Sequence, residues 1–223
     1  IPWSKHLATR EHVRLEVTCR KSRISNANAA TQRLERAFRA ARVPVAERAA
    51  VTIKVRIEND LATFSVDTSG EPLYKRGHKV AVGKAPLRES MAALILRRAG
   101  FQPGEAVLDP TCGSGTLPLE AADIASGRAA GRDRQFAFER LPSFNIASFK
   151  LVPRARESVA TKAYGFDRDA GAIKNAQANA RRAKLDVSFA KQPIGALKAP
   201  DTEPGLVICN PPYGTRIGDD KAL

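Results

Sequence analysis

Between His12 and Cys19 the chain reads HVRLEVTC, with Val13, Leu15, Val17 and Cys19 on one side and Arg14, Glu16 and Thr18 on the other. A period of two predicts a half-buried strand. After the basic run Arg20, Lys21 and Arg23 the spacing lengthens. Ala30, Leu34, Ala37, Phe38 and Ala41 recur at helical intervals, and Arg33, Arg36, Arg39 and Arg42 fill much of the remainder. This predicts a basic amphipathic helix over 29–41. Alternation returns at Val51, Ile53, Val55 and Ile57, and the turn Glu58-Asn59-Asp60 leads into 61–67, so a hairpin is expected. Residues 1–66 read as a small α+β unit.

From Ser69 to Lys84 there is Gly, Lys and Arg without a sustained period, which predicts a connector; its bounds are set at 67–85. Behind it the pattern changes. Pro86 suits a first helical turn, Leu87, Met91, Leu94 and Ile95 form an apolar stripe, and Gly100 suits a C-terminal cap. A short strand is expected over 106–109, a helix over 116–125, and an irregular stretch over 127–159 in which arginines and phenylalanines interleave. A strand over 163–167, a helix over 170–183 and strands over 186–190 and 206–209 complete the pattern. Such alternation predicts an α/β fold, a parallel sheet with helices on both faces, for 86–223.

The 223 residues hold 37 Lys+Arg against 23 Asp+Glu, a formal charge of +14. That excess favours a polyanion, and nucleic acid is the leading partner; arginine decorating solvated helix faces is the bland alternative. Cys19, Cys112 and Cys209 stand at unrelated spacings, so neither a disulfide framework nor a metal site is expected, and a reduced, cytoplasmic setting fits best. No apolar run approaches the roughly 18 residues of a membrane span. The start at Ile-Pro-Trp suggests a chain that begins inside a longer protein.

Three motifs carry the chemistry. VLDPTCGSGTLPLE (107–120) runs strand, turn, helix with Gly113 and Gly115 in the turn, where positive φ or a close ligand demands glycine. It lacks the Walker lysine and has two of the three glycines of a dinucleotide fingerprint, so phosphate is a poor candidate. Asp109 beside the turn suits the ammonium of an amino-acid-like cofactor. Asp167, in GFDRD, ends the next strand, where a carboxylate can accept both hydroxyls of a ribose; its rival role is helix N-cap, which Asp169 could equally fill. Finally, the strand LVIC runs into Asn210-Pro211-Pro212-Tyr213-Gly214. The prolines make a stiff turn with free carbonyls. An aryl or amide-like amine is a poor nucleophile because its lone pair is delocalised. Two acceptors, the Asn210 side-chain oxygen and the Pro211 carbonyl, would let it pyramidalise toward a methyl donor, and Tyr213 offers a face for an unstacked base.

In these motifs the chain resembles the THUMP-containing class I, Rossmann-like methyltransferases that use S-adenosylmethionine to methylate guanine N2 in ribosomal RNA. The resemblance rests on DTSGEPLYKRGHK (67–79), KAPLRESMAALIL (84–96), DPTCGSGTLPLE (109–120), GFDRD (165–169) and NPPYG (210–214). It implies cofactor contacts from Asp109, Pro110, Cys112, Gly113, Gly115, Asp167 and Arg168, base handling by Asn210, Pro211 and Tyr213, and a partial RNA-gripping THUMP domain over 1–66. Phosphate contacts are expected from Arg20, Lys21, Arg23, Arg33, Arg36, Lys75, Arg76 and Lys79.

The sequence departs from the family at Thr111, at Pro193 where relatives carry an adenine-contacting Asp, and in stopping after the fourth predicted catalytic strand, which implies that the C-terminal strands are absent. Two other readings stay open: methylation of DNA adenine N6 or protein glutamine, amines the same turn also serves, and a non-catalytic RNA-binding module.

Overall fold

The computed structural model describes residues 1–8, 10–77, 79, 87–150 and 156–211. Its elements in chain order are β1 (Val13–Arg20), α1 (Ala27–Ala40), β2 (Val51–Glu58), β3 (Leu61–Asp67), α2 (Glu89–Arg98), β4 (Val107–Asp109), α3 (Thr116–Ala125), α4 (Ile146–Lys150), β5 (Ala163–Asp167), α5 (Ala170–Ala183), β6 (Ser188–Lys191) and β7 (Leu206–Val207). They divide between two compact units, Ile1–Pro72 with Gln135–Val152, and Leu73–Arg134 with Pro153–Leu223.

The first unit holds a sheet in the order β1-β2-β3. β1 and β2 are parallel, paired from Val13↔Val51 to Arg20↔Glu58. Parallel neighbours need a long crossover, and α1 lies within it. That helix starts at Ala27, two residues before the apolar period, because the Asn26 side chain accepts the Ala29 N–H at 3.1 Å. Val13, Val51, Ile53 and Val55 are essentially sealed from water, packed with Ala30 and Phe38 of α1. Asn59 and Asp60 both take positive φ, 51° and 62°, the conformation a two-residue hairpin between twisted strands demands and these residue types tolerate. The stretch 127–159, irregular in sequence, divides between the units. Its middle joins the first, where the Phe138 N–H donates to the Thr68 carbonyl at 3.0 Å. The interleaved aromatics form a ring cluster, Phe136, Phe138, Phe144 and Phe149, with centroid spacings from 5.1 to 5.6 Å.

In the second unit β6-β5-β4-β7 form an all-parallel sheet. Burial is shared between two clusters. Ala92, Leu96, Phe101, Val107, Leu117 and Ala121 make one, and Cys112, Leu119, Ile173, Ala176, Ala180 and Phe189 the other. α3 feeds both, and nearly all of it is inaccessible. α2 packs differently from its apolar stripe. Ala92 and Leu96 are sealed, whereas Met91, Leu94 and Ile95 are exposed. The packed face is the one carrying a small residue, which permits close helix approach. Pro86 lies outside the described residues. No helix among the described residues is long and apolar enough to cross a membrane.

Candidate active site

Parallel strands finish on a common edge, and three motifs meet there because of register. Val107 pairs with Leu206 and Leu108 with Val207, and the Ile208 N–H continues to the Leu108 carbonyl at 2.9 Å. Asp109, ending β4, and Asn210-Pro211, just past β7, therefore leave the sheet on adjacent strands. On the other side Asp109 pairs with Gly165, and Asp167 ends β5. Ligands of open α/β sheets bind at this carboxyl edge.

The two glycines of the turn have different reasons to be glycine. Both are left-handed, Gly113 at φ 54° and Gly115 at φ 85°. A Cβ on Gly113 would meet nothing within 4 Å, so its bare backbone faces open space. A Cβ on Gly115 would lie 2.7 Å from Phe189 Cζ, and one on Gly165 2.5 Å from Phe189 Cε1. Gly113 alone leaves room for a ligand; Gly115 and Gly165 make room for a ring. Sequence reasoning treated the turn glycines alike and missed Phe189, because nothing in FAKQP announces that the ring crosses beneath the turn.

Cys112 divides between core and site. Its backbone N–H donates to the Phe166 carbonyl at 2.8 Å, but its side chain belongs to the core with Phe189. Burial pushes the thiol far up, reinforced by Asp109 and Asp167. Only its main chain remains available to the site. Pro110 is buried and Arg168 exposed.

The carboxylates are distinct. Asp109 is 2% exposed and accepts the Thr111 N–H at 3.0 Å. Burial pushes its carboxyl up to about 7, with the charge of Asp167 adding to the rise and the Thr111 N–H opposing it. Asp167 accepts the Gly113 N–H at 2.9 Å through one oxygen and the Asp169 N–H at 2.9 Å through the other, lacing β5 to the turn. The rival roles separate, since Asp169 caps α5 by accepting from Gly171 at 2.6 Å. Each Asp167 oxygen keeps a lone pair for a further donor. A buried carboxylate that forms no ion pair among the described residues, beside a backbone open at Gly113, fits a cationic amino-acid group attached to a nucleoside. Asn210 and Pro211 are exposed; Tyr213 lies outside the described residues. No group of His, Cys, Asp or Glu among the described residues could hold a metal.

The cations expected at phosphate also separate. Arg20, Lys21, Arg33, Arg36 and Lys75 are exposed. Arg23 is exposed too, although its guanidinium pairs with Asp60 at 3.0 Å. Arg76 and Lys79 are corrected. Arg76 donates twice to Glu120, at 3.2 and 3.1 Å, with the two side chains only 13% and 2% exposed. Lys79 donates to the Leu87 carbonyl at 2.9 Å and to the Thr116 hydroxyl. Both charges are committed to the interior. The sequence hid this because the acceptor for Arg76 sits 44 residues away inside a helix.

Residues 76–223 match the family described as RMKL-like, methyltransferase domain. The ribosomal RNA large subunit methyltransferase K/L of Vibrio campbellii is 39% identical over 189 residues, 79% of this chain and 27% of that protein. The chain therefore spans about a quarter of the length of the curated relatives it matches. Among solved structures, the methyltransferase SMU.472 complexed with SAH superposes with a TM-score of 0.76 at 31% identity, covering 99% of this chain and 62% of that one. A Listeria monocytogenes protein named a predicted N6-adenine-specific DNA methylase gives 0.73 at 28% identity, covering 99% and 62%.

Proposed function

The chain belongs to the RMKL-like methyltransferase domain family, and we propose that, with S-adenosylmethionine as donor, it methylates an exocyclic amine of an RNA base, guanine N2 of ribosomal RNA. The observation that carries this reading is the convergence of Asp109, Gly113, Asp167 and Asn210 on one sheet edge. Asp109 would hold the ammonium of the methionine end, the bare backbone at Gly113 would leave room for the donor, and Asp167 would accept hydrogen bonds from the ribose hydroxyls. The donor, bound there, supplies an electrophilic methyl on a sulfonium. Pro193 brings no side-chain acceptor for the adenine amine, so recognition falls to backbone groups or to Gln192, whose N–H is already anchored on the Asp167 carbonyl at 3.0 Å.

Asn210 Oδ1 and the Pro211 carbonyl accept the two N–H groups of the target amine. This turns its lone pair toward the methyl and stabilises the positive charge that grows on nitrogen, so no strong base is needed. The spare proton leaves to solvent after transfer. Tyr213 stacks the base. Residues 1–66, the later part of a THUMP-like domain, grip RNA through exposed Arg20, Lys21, Arg23, Arg33 and Arg36, with Lys75 adding from the connector.

The name of the Listeria neighbour favours DNA adenine N6 as a second reading. Labelled donor offered with hypomethylated ribosomal RNA or with DNA separates the two. The expected result is label on RNA, lost by about a hundredfold or more in Asn210→Ala. Label on DNA alone, or transfer indifferent to Asn210→Ala, refutes the proposal.

A further inference from the structure

We propose that Arg76 and Lys79 are positioning residues for the cofactor-binding turn, clamping the polar face of the helix that the turn begins; this rests on the cofactor reading above. Thr116, Glu120 and Asp123 recur at four- and three-residue spacing and so share one face of α3. All three are buried, at 6%, 2% and 4% exposure. Each is met by a cation: Lys79 on the Thr116 hydroxyl, Arg76 in a two-bond fork on Glu120, and Arg132 on Asp123 at 2.8 Å. The other faces of α3 are held by apolar clusters, through Leu117 and Ala121 on one side and Leu119 on the other. The cations close the third side.

The placement of Lys79 matters most. Thr116 directly follows Gly115, the left-handed residue that ends the turn and caps α3. A lysine at a helix N-terminus opposes the helix dipole, and burial pushes this ammonium down, while Glu89 and Glu120 hold it up. A cation kept in so unfavourable a place, with its Nζ also on the Leu87 carbonyl, ties the connector and the residues just before α2 to the first residue after the turn. Fixing Thr116 fixes Gly115, and with it the open backbone at Gly113.

Lys79→Met keeps the stem and removes the charge; Thr116→Val removes the acceptor and exposes no new ion should the lysine variant fold poorly. Donor affinity by calorimetry, the split of KM from kcat, and the salt dependence of RNA binding are read together in the full protein. The expected result is a rise of about tenfold in the donor Kd and KM in Lys79→Met, a smaller rise in Thr116→Val, partial restoration in Lys79→Arg, and an RNA salt slope equal to that of the unaltered protein. Unchanged donor affinity in both variants overturns the proposal. So does a salt slope lowered by about one ion, which marks a phosphate contact instead. Failure of the unaltered protein to bind the donor overturns the cofactor reading itself.

Discussion

Gly165→Ala adds one methyl group where Phe189 already stands. The new Cβ would sit 2.5 and 2.6 Å from two ring carbons and 3.0 Å from Cys112 Sγ. Carbon pairs rest at about 3.5–4.0 Å, so the ring must retreat by roughly an ångström. Gly165 lies in the middle of β5, bonded between β4 and β6, and cannot yield instead. Overpacking of this kind costs about 1–3 kcal/mol, which for a chain of this size lowers the melting temperature by about 2–4 °C per kcal/mol. The far edge of the ring already abuts Gly115, where a Cβ would stand 2.7 Å from Phe189 Cζ, so a ring that retreats that way displaces the turn. Donor affinity is expected to fall by about tenfold or more as Gly113 is displaced. Denaturant unfolding and donor calorimetry on Gly165→Ala, Phe189→Leu and the double variant form the assay. The smaller side chain relieves the clash, so the double variant should be more stable than the sum of the singles by about 1–2 kcal/mol and should regain donor affinity. Additive losses, or a Gly165→Ala protein as stable as its parent, would show that the ring does not support the turn.

Other outcomes follow from the carboxylates and the cations. Because burial raises Asp109, its contribution to stability is full below the ordinary carboxyl value near 3.8 and is lost as pH rises toward about 7, roughly 4 kcal/mol in all; Asp109→Asn should flatten that part of the stability–pH curve measured by denaturant. Donor binding should show the opposite trend, weakening by up to about fifteenfold between pH 7 and 5.5 as Asp109 protonates, with the dependence absent in Asp109→Asn. Asp169→Ala removes a helix cap and should cost about 1 kcal/mol in thermal unfolding with donor affinity retained, whereas Asp167→Ala should abolish donor binding by calorimetry. Replacing exposed Arg33 and Arg36 by Ala should weaken RNA binding and reduce its salt slope by about one to two ions, read by filter binding at several salt concentrations.

Much of this protein was written in local pattern. Periods of two and 3.6 marked β1, α1 and β2 to within a few residues, because each buries one face and the alternation of side chains records which, while β4, α3, β5 and α5 were legible as a succession of short strands and helices. The acid–glycine turn, the acid ending β5 and the asparagine–proline corner were legible as motifs because their chemistry depends on neighbours in the chain. What the sequence could not decide was everything set by residues far apart. Register brought Asp109 and Asn210 to adjacent strands. A ring on β6 took the space that two glycines leave free, and Glu120 drew Arg76 inward across 44 positions. Asp169 took the cap and released Asp167 through hydrogen bonds that either residue type could have made. Local pattern records which face a residue turns toward the core; only the packed structure decides which distant side chain meets it there, and so whether a charged or bare position serves a ligand or the interior.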